Sequence, residues 1–433
     1  MLRFAPSPTG DMHIGNLRVA IFNYIVAKQR GEEFLVRIED TDNKRNIEGK
    51  DKEILVLLEL FGLKPDKVVY QSNNIHLHQQ LAKRLLDTKK AFLCFCDEEE
   101  IKKEREKAKN DKKPYRYSGK CANLSSKEVE EKLEAKVPFV VRIKKPKSDI
   151  EFSDEIKGDF KFSPFEVDSF VILRSNGYPT YNFACAVDDM LYDISLVIRG
   201  EDHLSNTPKQ IHIRNSLGYN KEIKYAHLPI ILNEEGKKLS KRENHASVKW
   251  LLEEGFMPEA IINYLILLGN GFEREVFTLD EAIEFFDLKK ISKAPAKFDI
   301  EKLKFLNKEH MKRIKNISKY LGYDKRYEEL LRIFRDESVT LKEIKEKFDA
   351  VFKSAKDDEF KEEREILKKE ILESELEEDY DEFKKRVMKN TNLKGKKLFM
   401  PLRELLINQK HGAEIKDLYK AMKPYLKEVI KGR

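Results

Sequence analysis

Arg3-Phe4-Ala5-Pro6-Ser7-Pro8-Thr9-Gly10-Asp11-Met12-His13-Ile14-Gly15-Asn16 is the stretch that decides how this chain folds. Leu2 to Phe4 is a short apolar run with strand character, and two prolines and a glycine then stop it from continuing. Beyond the turn Leu17, Ala20, Ile21, Tyr24 and Ile25 recur at the spacing of a buried helical stripe. The segment therefore predicts strand, tight loop and helix, with His13 and Gly15 at the helix entrance. A helix N-terminus offers unpaired N–H groups and a partial positive charge, and glycine lets a flat or charged ligand approach the backbone. A triphosphate suits such a site. Pro/Gly loops before helices more often only turn the chain, so the meaning of this one depends on a second element.

That element is Gly236-Lys237-Lys238-Leu239-Ser240-Lys241-Arg242, with four cations in six positions around a small hydroxyl. A basic run is commonly a solvated face. This one follows a glycine and has the composition of a loop that closes over a polyphosphate and stabilises the charge on departing pyrophosphate.

The rest of the first half alternates strand and helix patterns. Phe34-Leu35-Val36-Arg37-Ile38 reads as a second strand with Glu39 and Asp40 at its C-terminal end, where parallel sheets gather ligand groups. Ile54, Leu55, Leu57, Leu58 and Phe61 form a helix closed by Gly62 and Pro65. This order predicts right-handed βαβ units on a parallel sheet. Near Ala91 the register changes to a Lys/Glu-rich helix over Glu98 to Lys112 and strand pieces such as Phe139 to Ile143, the pattern of an insertion. The sheet is expected to resume at Phe170 to Leu173 and to end near Ile194 to Arg199. After Lys249 the apolar periodicity is helical almost to the end, with Leu367, Ile371, Leu376, Tyr380, Phe383 and Val387 as one stripe.

Composition sets the outer bounds. A chain of 433 residues is too long for one ordinary core and predicts roughly two to four units. Its 84 Lys+Arg against 77 Asp+Glu give a net charge of +7, which permits a polyanionic partner without requiring one. No apolar run suits a bilayer and the first residues lack a signal-peptide pattern, so no membrane association and a cytoplasmic location are expected. Four cysteines, Cys94, Cys96, Cys121 and Cys185, are expected there as thiols or ligands rather than disulfides.

The N-terminal and Lys-rich segments together resemble the paired signatures of the class I aminoacyl-tRNA synthetases. Four further words narrow the resemblance to glutamyl-tRNA synthetases of the bacterial type: Arg3 to Gly10, Arg37-Ile38-Glu39-Asp40-Thr41-Asp42, Gly177-Tyr178-Pro179-Thr180-Tyr181-Asn182 and Val197-Ile198-Arg199-Gly200-Glu201-Asp202. They occur in family order over roughly residues 1 to 310. The first signature ends in Asn16 where the class consensus has a second histidine, and Leu239 and Arg242 fill variable positions of the second.

The resemblance implies an α/β fold: a Rossmann-like doubly wound parallel sheet with an inserted α+β acceptor-binding domain and an all-α C-terminal anticodon-binding region. In this chain that corresponds to catalytic halves at 1–90 and 166–230, the tRNA acceptor-binding insertion at 91–165, a stem-contact region with the Lys-rich loop at 231–310, and the anticodon-binding region at 311–433. It implies glutamate activation with ATP and transfer to the terminal ribose of tRNA(Glu), tRNA(Gln) or both, by a monomer. His13, Lys238, Ser240 and Lys241 are the implied catalytic residues. Ala5, Pro6, His13, Gly15 and Lys241 are implied to bind ATP, and Arg3, Ser7, Glu39, Tyr181 and Arg199 to bind L-glutamate. Mg2+ is expected on ATP without a named protein ligand. Cys185 stands where some relatives carry an amide, and small apolar filling is its expected role.

Cys94-x-Cys96 and Cys121, with 24 residues between them, fall where many relatives hold Zn2+, with Tyr117 nearby. The usual fourth position is Asn123, a poor zinc ligand, so a working site and a decayed one both stay open. Three rival functions are set against the main reading. A truncated paralogue of the glutamyl-queuosine type modifies a tRNA base but lacks the helical region after 310, a glutaminyl synthetase fits the Ala5 to Gly10 word less well, and a non-catalytic RNA-binding relative has no need of His13, Lys241, Arg3 and Arg199.

Overall fold

The computed structural model describes residues 1–42, 44–239, 246–354 and 359–433, which form two compact units. The first comprises Met1–Val248 and Leu265–Phe298. Its first ten strands in chain order are β1 (Leu2–Phe4), β2 (Phe34–Ile38), β3 (Lys67–Tyr70), β4 (Ala91–Cys94), β5 (Val140–Ile143), β6 (Ile150–Asp154), β7 (Gly158–Phe162), β8 (Phe170–Leu173), β9 (Leu196–Gly200) and β10 (Lys224–Leu228). Seven of them make one sheet in the order β3-β2-β1-β9-β10-β6-β7, parallel up to β6 and closed by the antiparallel β6–β7 hairpin. β1 and β2 are buried at every position, which helices on both faces of a parallel sheet require.

Helix α1 (Ile14–Arg30) follows the Pro/Gly loop as the periodicity predicts. The predicted stripe understates its burial. Phe22, Asn23, Val26 and Ala27 are also buried, so α1 is enclosed around most of its circumference, and Tyr24 is only partly covered. It stops at Gly31, whose φ of 62° allows the left-handed turn that satisfies the carbonyls of Ala27 and Lys28.

Two strand expectations are corrected. Phe170–Leu173 does not resume the parallel sheet; as β8 it is the third strand of a separate antiparallel sheet, β4-β5-β8. Ile172 and Leu173 are buried with Ala91, Val141, Ile143, Phe183 and Val187. An apolar run needs a covered face, and its sequence does not say which sheet supplies it. The parallel sheet also does not end at β9, because β10 pairs with it from Lys224 to Leu228. Lys224 and His227 disguise that strand in the sequence, although His227 is fully buried.

The second unit, Lys249–Tyr264 with Asp299–Arg433, is helical. Its core gathers Phe334, Phe348, Leu367, Phe383, Leu402 and Leu418. The single stripe expected over 367–387 belongs to two helices, Lys361–Glu373 and Tyr380–Thr391, with Leu376 between them. Asp379 starts the second by accepting from the backbone N–H groups of Asp381 and Glu382. Gly255 sits at φ 84°, and a Cβ there would lie 2.4 Å from the backbone nitrogen of Lys342, so only glycine fits.

Candidate active site

Chain connections leave β1 and β9 toward opposite sides of the sheet, so the C-terminal ends of these neighbours frame a crevice. A cleft of about 650 Å3 opens there, entirely within the first unit. Its walls contain every predicted catalytic, ATP-binding and glutamate-binding residue that the structure describes.

One end is built by the loop after β1. Ala5, Pro6 and Ser7 line the cleft, with the loop anchored by Glu39 N–H donating to the Pro6 carbonyl and Ile47 N–H to that of Pro8, each at 2.9 Å. His13 caps α1: its Nδ1 accepts from Gly15 N–H at 3.0 Å. That contact leaves the proton of the neutral ring on Nε2, which makes Nε2 a donor. A Cβ on Gly15 would fall 3.2 Å from the same Nδ1, so glycine preserves the cap. Lys238 lines the cleft and reaches Asp202 at 3.2 Å. Burial raises the Asp202 carboxyl, but His203 and Lys238 outweigh it and hold the group below its ordinary range. Ser240 and Lys241 lie outside the described residues.

The other end holds Arg3, Glu39, Tyr181, Cys185 and Arg199. The two arginines, given equal roles by the resemblance, have unlike surroundings. Arg3 forms a fork with Asp189, Nε to Oδ1 at 3.2 Å and Nη2 to Oδ2 at 3.4 Å. Asp189 is shared with fully buried Arg37, whose Nη1 lies 2.6 Å from Oδ1, and Arg37 also donates to Glu39 at 3.1 Å. Burial alone would raise the Asp189 carboxyl; Arg3 and Arg37 hold it well below the usual carboxylate range. The Cys185 thiol, 1 % exposed, donates to Glu39 at 3.0 Å and is pushed up by burial and by that carboxylate. Beyond filling space, Cys185 therefore helps orient Glu39.

Arg199 has no acid at its side among the described residues. Nε donates to His227 Nε2 at 3.1 Å, Nη1 to Gln210 Oε1 at 2.9 Å and Nη2 to Thr207 Oγ1 at 2.7 Å. Three of its five N–H groups are used on neutral acceptors, which leaves two donors and an uncompensated charge at the cleft wall. Tyr181 OH lies 3.1 Å from Nδ1 of His203, whose pKa is lowered by burial and by Arg199.

The sequence reading missed Arg37, Asp189, His203, Thr207, Gln210 and His227. Arg37 and His203 stood in or beside the quoted words. Nothing local marked Asp189, which lies 186 positions from Arg3.

Away from the cleft, Cys94, Cys96 and Cys121 converge with all three Sγ atoms within 4.8 Å of one another. Tyr117 OH is 3.4 Å from Cys94 Sγ and 3.6 Å from Cys96 Sγ, and Cys96 and Cys121 are 3.6 Å apart. Ligand atoms on a tetrahedron about a Zn–S bond length in radius lie about 3.7 Å apart, close to these three separations. Asn123 is exposed, and it is Tyr117 OH that stands beside the thiols. Arg142 donates to Cys94 at 3.2 Å and stacks over Tyr117, supplying a cation beside the thiols.

Residues 1–305 match the family model described as tRNA synthetases class I (E and Q), catalytic domain. The chain is 62% identical over 433 residues to glutamate–tRNA ligase 1 of a Nitratiruptor species, covering 99% of this chain and 100% of that protein. It is 55% identical to glutamate–tRNA ligase 2 of Sulfurimonas denitrificans, with both chains fully covered. The crystal structure of a glutamate tRNA ligase from Elizabethkingia meningosepticum, in complex with its amino acid, superposes with a TM-score of 0.85 at 29% identity, over 99% of this chain and 98% of that one. The chain belongs to the class I tRNA synthetases and, within them, to the glutamate–tRNA ligase family.

Proposed function

We propose that the cleft binds L-glutamate and ATP together and joins them as glutamyl-adenylate, and that the glutamyl group then passes to the terminal ribose of tRNA. The observation that carries this reading is Arg199, a guanidinium on the cleft wall whose charge no protein acid neutralises among the described residues. Its two remaining donors match the side-chain carboxylate of glutamate, each charge-assisted contact being worth roughly 1.5 to 3 kcal/mol. Arg3 presents its unused Nη1 to a second oxygen, while Glu39 and Ser7 receive the α-ammonium and Tyr181 closes the pocket. Glutamine offers a neutral amide to Arg199, so selectivity follows from electrostatics without an editing step.

In the first reaction a glutamate α-carboxylate oxygen attacks the α-phosphorus of ATP and pyrophosphate leaves. No protein nucleophile is required, and the residues act by positioning and by offsetting charge. His13 Nε2–H donates to phosphate oxygens, Gly15 lets adenine lie against the backbone beside Ala5 and Pro6, and Lys238, Ser240 and Lys241 follow the departing phosphates. The cleft acids Asp11, Glu39 and Asp202 are each paired with a protein cation, so Mg2+ is assigned no protein ligand and accompanies the nucleotide. ATP–pyrophosphate exchange with tRNA present tests the reading. Exchange with glutamate and none with glutamine is expected; equal exchange with both amino acids contradicts it.

The names of the relatives support tRNA as the second substrate; the same reading sets segment 91–165 at the acceptor end, 231–310 at the stem and 311–433 at the anticodon. Side-by-side charging of tRNA(Glu) and tRNA(Gln) decides between these partners. A monomer in the cytoplasm is part of the same reading; among the described residues no helix is long and apolar enough to cross a membrane. We also assign structural zinc to Cys94, Cys96, Tyr117 and Cys121. Metal analysis should return one zinc per chain, and Cys121→Ser should lose it to a chelator that the unaltered protein withstands.

A further inference from the structure

Arg199 is held by a chain of groups that starts at the hairpin edge of the sheet. Asp154, at the end of β6, is 3% exposed, and its carboxylate accepts from the backbone N–H of Ile156 at 3.0 Å and of Lys157 at 2.8 Å. Its Oδ2 lies 2.6 Å from Nδ1 of His227 on β10, a fully buried side chain. A carboxylate can only accept, so the proton of the neutral imidazole sits on Nδ1. Nε2 then presents its lone pair to Arg199 Nε, which can only donate, at 3.1 Å. The opposite tautomer would set two donors face to face.

We propose that Asp154 and His227 are a positioning pair for Arg199: they fix the imidazole tautomer so that a neutral acceptor aims the guanidinium while its charge stays available to the carboxylate of the bound amino acid. This rests on the reading of Arg199 given above. The contrast with Arg3 explains the arrangement. Asp189 touches Arg3 directly and neutralises it, whereas an imidazole stands between Asp154 and Arg199 and transmits orientation without placing an anion on the binding charge.

Acid should break the device. His227 faces Asp154 on β6, Arg199 on β9, Arg3 on β1 and, on its own strand, the Tyr225 ring at 6.1 Å. The helix Thr207–Leu217 adds neutral Thr207 and Gln210, and Arg214 beside Tyr225. Burial and Arg199 lower the His227 pKa although Asp154 opposes them. The neutral form, and with it glutamate recognition, is therefore complete at neutral pH and is lost as pH falls through a value below the ordinary histidine range. Protonated His227 offers no acceptor and sets a second cation against Arg199.

The test is ATP–pyrophosphate exchange with tRNA present, using the full chain, Asp154→Asn, His227→Gln and the double variant. Asp154→Asn, which permits the wrong tautomer, should raise KM for glutamate about 10- to 100-fold, the size of one charge-assisted contact, and leave KM for ATP unchanged. His227→Gln supplies an amide acceptor that does not titrate; it should keep a near-normal glutamate KM at neutral pH and remove the acid-side rise. Asp154→Asn should then add nothing to it. An unchanged glutamate KM in Asp154→Asn, a parallel rise in both KM values, or an equal penalty in the His227→Gln background overturns the pairing. Absence of glutamate-dependent exchange in the unaltered protein instead removes the reading of the cleft on which the pairing rests.

Discussion

Arg199→Ala should lower kcat/KM for glutamate about a thousand-fold, because two charge-assisted contacts worth roughly 1.5 to 3 kcal/mol each disappear together. The loss should fall on the amino acid alone. Arg199 belongs to β9 and its partners are Thr207, Gln210 and His227, while the loop and helix entrance read as the nucleotide site come from β1 and α1. KM for ATP is thus expected to stay within about twofold, since none of the proposed nucleotide contacts is removed. Preference for glutamate over glutamine should vanish as well, because the group that distinguishes an anion from an amide is gone. Steady-state exchange kinetics with both amino acids measure all three quantities. Retained preference would show that another cation selects the substrate, with Arg3 the first to examine.

Arg37→Met acts on stability instead. Arg37 is fully buried and is the only cation shared by Glu39 and Asp189 among the described residues. Removing it leaves Glu39 without a cationic partner and Asp189 with Arg3 alone, and breaking a buried pair from one side costs about 3 to 5 kcal/mol. For a unit of this size the melting temperature should fall by about 5 to 8 °C. The pH dependence has a definite sign. Arg3 and Arg37 hold Asp189 below its ordinary value, so its contribution is full above the unfolded carboxylate pKa and is lost as pH falls below about 4. With Arg37 absent the folded value rises toward the unfolded one, and the acid midpoint should move to higher pH. Thermal melts between about pH 7 and about pH 3 read both effects. A variant as stable as the original would mean that Arg3 alone compensates Asp189.

Much of the fold is legible in local pattern. Pro6, Pro8 and Gly10 can only end a strand, Leu17 to Ile25 can only cover a core as a helix, and the β1-loop-α1 unit follows from those constraints. What is not legible depends on partners distant in the chain. β8 and β10 carry no mark of the sheet they join, because an apolar or mixed run is satisfied by any covered face. Nothing local marks Asp188 and Asp189, yet both are fully buried, and Asp189 pairs with arginines from β1 and β2. His227 and Asp154, 73 positions apart, likewise become a pair only when β6 takes its place beside β10. The predicted residues Arg3, Ser7, His13, Gly15, Glu39, Tyr181, Arg199 and Lys238 do share one cleft. Residue type and motif disclosed who stands there. The distribution of charge between Arg3 and Arg199 required the buried acids.

The claim on which the account turns is that this cleft holds the amino acid at Arg199 and the nucleotide at the entrance of α1. A crystal structure of the chain with a non-hydrolysable glutamyl-adenylate analogue tests it directly. The side-chain carboxylate should lie within hydrogen-bond distance of the two unused Arg199 donors, with the phosphate mimic beside His13 Nε2 and adenine against Gly15. An analogue bound with its carboxylate away from Arg199, or with its adenosine outside the loop after β1, would contradict the account.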